Sequence, residues 1–176
     1  VSISGDGKYI VIGTNHASGG GCGGSGPCKV ILFDKGSSTP LWSYVATGRF
    51  NSVAISADGE YIAAGSDNEK VYLFKKGSST PIWSYQTGGD GVDSIAISAN
   101  GEYIAAGSDD DKVYFFDKDS STPLWNYNTH GDVLSLDISQ DGEYIFVGGT
   151  DDPEKVYLFD KDSNTPIWTY EPSDPD

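Results

Sequence analysis

Four tryptophans, Trp42, Trp83, Trp125 and Trp168, recur at intervals of 41, 42 and 43 residues. Each closes the same phrase: STPLW (38–42), STPIW (79–83), STPLW (121–125) and NTPIW (164–168). Two more phrases repeat in phase with it. DGKYIVIG (6–13), DGEYIAAG (58–65), NGEYIAAG (100–107) and DGEYIFVG (141–148) come first, and KVILFDK (29–35), KVYLFKK (70–76), KVYFFDK (112–118) and KVYLFDK (155–161) lie between. The first interval of the leading phrase is 52 residues where the next two are 42 and 41. The chain is therefore one supersecondary unit copied four times, with about ten extra residues inside the first copy.

Each unit reads as four short strands. In the second, NSVAIS (51–56) leads through an Asp-Gly turn, whose glycine adopts positive φ at no steric cost, into YIAAG (61–65). A polar turn SDNE (66–69) precedes KVYLF (70–74), which is rich in β-branched and aromatic residues. Pro81 is confined to a strand start before IWSYQ (82–86). No segment carries a helical apolar period of useful length, and the apolar residues are Val, Ile, Tyr, Phe and Trp, with no Met in the chain. Four hairpin-linked strands per 42 residues predict an all-β fold, a β-propeller of four-stranded antiparallel blades. The blades span 1–48 (with an insertion at 14–28), 49–90, 91–132 and 133–176.

The half-unit SVAISADGEYIAAGSDNEKVYLF (52–74) resembles the WD repeat, in which an inner strand passes through an Asp-Gly hairpin to a glycine-ended second strand. KVYFFDKDSSTPLWNY (112–127) resembles the tryptophan-docking repeat of pyrroloquinoline-quinone (PQQ)-type propellers, found in archaeal and bacterial secreted or surface proteins. No unit has the Trp-Asp dipeptide, and Thr-Pro stands where the quinone-type motif has Thr-Gly. The resemblance implies that Trp42, Trp83, Trp125 and Trp168 dock neighbouring blades together. The resemblance covers the whole chain, but of the quinone-type features only the docking phrases match, so no quinone cofactor is expected. Four blades leave three arrangements open: a complete small ring, half of an eight-bladed ring closed by a second copy, or a piece of a larger propeller, which the start at Val1 within a strand favours.

Charge is uneven. Asp and Glu outnumber Lys and Arg by 26 to 11, a net −15, and the balance of acidic to basic residues runs 2:3, 5:4, 8:2 and 11:2 from the first unit to the fourth. So acidic a chain is a poor nucleic-acid ligand, because it lacks the cations that replace phosphate counterions. Anionic lipid repels it, and no apolar run approaches the ~18 residues of a membrane-spanning helix.

One face of the disc carries the turns after the second and fourth strands, and with them the irregular residues: His16, Arg49, Asp67, Asp90, Asp109, Asp110, Asp111, His130, Asp151, Asp152 and Glu154. Loops on a rigid ring are where binding concentrates. Asp109–Asp111, or Asp151, Asp152 and Glu154, have the oxygen chemistry for Ca²⁺, but their spacing is not that of a calcium loop, and solubility explains them as well. No other metal or cofactor is expected. The insertion TNHASGGGCGGSGPC (14–28) holds the only two cysteines, Cys22 and Cys28, which read as a local disulfide and hence an oxidising compartment. With His16 they fall short of a closed zinc site. Ser56, Ser98 and Ser139 repeat in register as hairpin residues, and Asp137 replaces an inner-strand Ala as a candidate channel-facing carboxylate.

No nucleophile–base set stands outside the repeat pattern. The expectation is a non-enzymatic interaction or scaffold propeller, extracellular or on the cell surface, holding a protein or surface-glycan partner on its loop-rich face. Two alternatives are a structural module whose open blade edges pair with another copy or with the rest of a longer chain, and a fragment of a quinone-type dehydrogenase.

Overall fold

Each repeat forms one antiparallel meander whose strands pair in chain order. The structure, a computed structural model, describes residues 1–14, 27–89, 91–150 and 154–172. Blade 1 comprises β1 (Ser2–Ile3), β2 (Tyr9–Gly13), β3 (Cys28–Asp34) and β4 (Trp42–Ala46). Blade 2 is β5 (Phe50–Ile55), β6 (Tyr61–Ser66), β7 (Lys70–Lys75) and β8 (Trp83–Gln86), and blade 3 is β9 (Val92–Ile97), β10 (Tyr103–Ser108), β11 (Lys112–Asp117) and β12 (Trp125–Asn128). Blade 4 is β13 (Ser135–Ile138), β14 (Tyr144–Gly148), β15 (Val156–Asp160) and β16 (Trp168–Tyr170). The fold is all-β, a propeller-like array of four blades. β3 begins one residue before the KVILFDK phrase, so Cys28 belongs to a strand rather than to the insertion.

Repeated polar residues close the innermost hairpins. Ser56 Oγ donates to Asp58 at 2.6 Å and accepts the Tyr61 N–H at 3.0 Å, while Asp58 accepts the Glu60 N–H at 2.9 Å. The same arrangement recurs at Ser4–Asp6, Ser98–Asn100 and Ser139–Asp141. Backbone bonds then tie each hairpin to the next. The Gly5 N–H donates to the Ala57 carbonyl, Ala57 to Ala99 and Ala99 to Gln140, each at 2.9 Å.

Period-two alternation gives every blade two apolar faces, so the cores lie between blades rather than within them. The trailing face of blade 1 (Val11, Val30, Leu32, Trp42, Tyr44) meets the leading face of blade 2 (Val53, Ile55, Ile62, Tyr72, Phe74). Blades 2 and 3, and 3 and 4, repeat this seam with equivalent residues. At each seam a tryptophan packs at a tilt against the next blade's phenylalanine: Trp42 on Phe74, Trp83 on Phe116 and Trp125 on Phe159, with ring centroids 5.5, 5.3 and 5.3 Å apart. Its indole N–H donates to the carbonyl of Lys76, Lys118 or Lys161 at 2.7–2.8 Å. That lysine is paired in turn with Glu60, Glu102 or Glu143 of its own blade.

Trp168 differs. It is 44% exposed, and its ring meets that of Phe146 in its own blade, with centroids 6.1 Å apart. Among the described residues no fourth core joins blade 4 to blade 1.

Candidate binding face

In blades 2 and 3 the turn after the second strand is held from the turn that follows the fourth. In blade 2 the Glu69 carbonyl accepts both the N–H and the hydroxyl of Thr87, at 2.8 and 3.0 Å. In blade 3 the Asp111 carbonyl accepts the same two groups from Thr129, at 2.8 and 2.9 Å. Glu69 and Asp111 adopt φ of 65° and 62°. Non-glycine residues hold that conformation only when their surroundings fix it. The two threonines are buried, and they position acidic side chains on a stiff backbone.

The structure brings several of the expected residues together here. Arg49 pairs with Asp67, Nε to Oδ2 at 3.6 Å, and its N–H donates to the same carboxylate. The Asp109 N–H donates to the Gly91 carbonyl at 3.1 Å, and Gly91 packs against Asp67 of the preceding blade. Asp110 faces inward, its side chain only 7% exposed. Its Oδ2 accepts the Gly88 N–H at 3.1 Å, Lys112 Nζ at 3.3 Å and the Tyr114 hydroxyl. Burial, and then the Asp110 carboxylate beside it, push the Tyr114 phenol well above the usual tyrosine range. Asp110 thus holds a seam together, and Asn68 has the same place in blade 2, donating to Tyr72 at 2.8 Å.

His130 is exposed at φ 68°, its N–H bonded to Asn128, and Glu154 is exposed as well. His16, Cys22, Asp90, Asp151 and Asp152 lie outside the described residues. Among the described residues no three His, Cys, Asp or Glu side chains are grouped as they would be around a metal ion. Cys28 is buried in the seam between blades 1 and 2 and is disulfide-bonded. No described helix is long and apolar enough to cross a membrane.

The described surface also carries two hollows. On the hairpin side, Ile3, Ile55, Ile97 and Ile138, one from each blade, line a cavity of about 260 Å³ with Gly5, Ala57, Ala99 and Gln140. Sequence reasoning passed over this apolar funnel, although the four isoleucines repeat in phase one residue before the hairpin serine. The second hollow, about 190 Å³, lies on the uncovered face of blade 4 between Asp137, Ile138, Ser139, Tyr144, Phe146 and Leu158. Asp137 pairs in register with Phe146 and occupies the position of Ala54 and Ala96, which belong to trailing faces. It therefore lies on the blade's outer flank rather than in a central channel.

No curated protein matches the chain. The profile of a PQQ-type repeat family, described as outer membrane protein assembly factor BamB, matches residues 27–150, which is more than half of the chain and runs from β3 through β14. With its sixteen strands in four sequential four-stranded sheets and a tryptophan bonded across each seam, the chain belongs to this family of PQQ-like β-propeller repeat proteins.

Proposed function

We propose that the chain is a non-catalytic interaction propeller of the cell envelope or exterior, and that its acidic turns hold a basic segment of a protein partner. The observation that carries this reading is the pair of hydrogen bonds that the Thr129 N–H and hydroxyl donate to the Asp111 carbonyl, which presents Asp109 and Asp111 from a fixed backbone in the acidic half of the molecule. Pre-set carboxylates cost little ordering entropy when a cationic segment arrives. The matched family is described as an assembly factor, a role made of protein contacts. The disulfide at Cys28 favours an oxidising compartment. The repeated hydroxyls Ser56, Ser98 and Ser139 are committed to their turn carboxylates or amide, which favours binding over catalysis.

The test is a titration of the labelled chain with a Lys/Arg-rich peptide and with a Glu-rich peptide of equal length, followed by amide chemical shifts. The basic peptide should perturb residues around Asp109, Asp111 and His130, weaken with added salt, and bind less well to Asp109→Asn/Asp111→Asn. Shifts centred on the Ile55–Ile97 funnel, or equal shifts with both peptides, would overturn the reading.

A further inference from the structure

The two outer blade faces are the separated halves of one more seam. Blade 4 offers the donor half: Trp168 is 44% exposed, Tyr144 48%, and the Gln140 N–H has no backbone acceptor among the described residues. Blade 1 offers the acceptor half. Phe33 and the Lys35 carbonyl stand where Phe74 and the Lys76 carbonyl receive Trp42, and the Gly5 carbonyl stands where Ala57 accepts from the blade before. In the existing seams each leading-edge hairpin glycine is covered by the preceding blade's tyrosine, so a Cβ on Gly101 would lie 2.6 Å from Tyr61. At Gly7 the same space is open, with nothing within 4 Å.

Charge completes the match. Lys8 of blade 1 stands where the other blades have Glu60, Glu102 and Glu143, so Lys35 has no carboxylate at that position. Asp137 of blade 4 stands where the others have Ala54 and Ala96. In the seam between blades 1 and 2, Lys76 lies 4.8 Å from the Tyr9 ring. The equivalent placement would carry Lys35 over Tyr144, into the hollow that Asp137 lines. Lys8 itself lies over the Tyr9 ring at 5.2 Å, so the opposite charges offered across the junction are Lys35 and Asp137.

From these paired half-seams we infer that the trailing face of blade 4 docks the leading face of blade 1 of a second copy, with Trp168 Nε1 donating to that copy's Lys35 carbonyl. The contact is head-to-tail, so it closes only if rotation brings the second head back to the first tail. Two such junctions would join eight blades in one ring.

The test is sedimentation of the intact chain up to about 100 µM, where a micromolar contact is populated. Twice the mass of one chain is expected. Trp168→Ala and Phe33→Asp, which alter an exposed and a half-buried side chain of the two outer faces, should each sediment as single chains at that concentration with unchanged far-UV circular dichroism. An equimolar mixture of the two variants retains one intact head and one intact tail, and should recover a dimer. A wild-type chain that stays monomeric at about 100 µM, as it would if the faces receive further blades of a longer chain, overturns the second copy as occupant. So does dimerisation that survives Phe33→Asp, or a mixture that remains monomeric.

Discussion

The indole N–H of Trp83 donates to the carbonyl of Lys118 at 2.8 Å, a bond that spans the seam between blades 2 and 3. Tilted packing of the same ring against Phe116 makes Trp83 both the apolar filling and the polar fastening of that seam. Trp83→Ala should therefore lose about 3–4 kcal/mol in urea unfolding. Trp83→Phe, which keeps most of the packing and orphans one carbonyl, should lose about 1–2 kcal/mol. Trp168→Ala, measured below the concentration of any association, should lose under about 1 kcal/mol, because it leaves no seam empty. Equal losses at positions 83 and 168 would contradict the seam arrangement.

Gly101 and Gly7 have nearly the same backbone, at φ 74° and 68°, in different surroundings. Gly7→Ala carries only the left-handed penalty of about 1 kcal/mol. Gly101→Ala adds the displacement of Tyr61, so its melting temperature should fall by several degrees more. A thermal melt of the two variants side by side decides this.

The hydrogen bond from Ser139, with the Glu143 N–H behind it, holds the Asp141 carboxyl below its ordinary value of 3.8. A carboxylate whose folded pKa is depressed stabilises the fold above 3.8 and loses that contribution as pH falls through the lowered value. Ser139→Ala should move the Asp141 carboxyl resonance midpoint upward in a carbon-13 titration, and should shallow the acid-side decline in stability.

Tyr114 makes the opposite kind of prediction. Its phenol is pushed up, so above pH 10 the unfolded chain loses this proton before the folded one does, and stability falls with rising pH. Tyr114→Phe should remove that part of the alkaline decline. Near neutrality it should cost about 1–3 kcal/mol, since the buried Asp110 carboxylate loses its hydroxyl donor.

Peptide mapping without reductant should find Cys28 joined to Cys22, the only other cysteine in the chain. Reduction should then lower stability by about 2 kcal/mol, the loop-entropy contribution of a short closed loop. Two free thiols under denaturing conditions would refute the pairing.

Strand existence, blade order and the docking of Trp42, Trp83 and Trp125 were legible in the sequence, because each rests on a pattern repeated three or four times, whereas Trp168 closes the same phrase and docks no neighbour among the described residues. Individual side-chain partners were less so. Asp109, Asp110 and Asp111 read as one acidic run, yet the structure turns Asp110 inward to Tyr114 and Lys112, and holds Asp111 by its carbonyl rather than its carboxylate. Composition carries no information about which of three adjacent carboxylates points into a seam. Asp137 was misplaced for a related reason: period two fixes that its face differs from that of its chain neighbours, but which face belongs to the channel follows only once the blades are stacked.

The chain of inner-hairpin bonds from Gly5 to Ala57 to Ala99 to Gln140, with one core per seam, makes the energetics nearly one-dimensional. A lone blade has two apolar faces and nothing to bury them against, so cooperativity belongs to pairs. In a single chain blades 2 and 3 are buttressed on both sides, whereas among the described residues blades 1 and 4 are buttressed on one. Amide exchange should therefore be slowest in β6 and β10 and quicken outward, and the array should open from its ends.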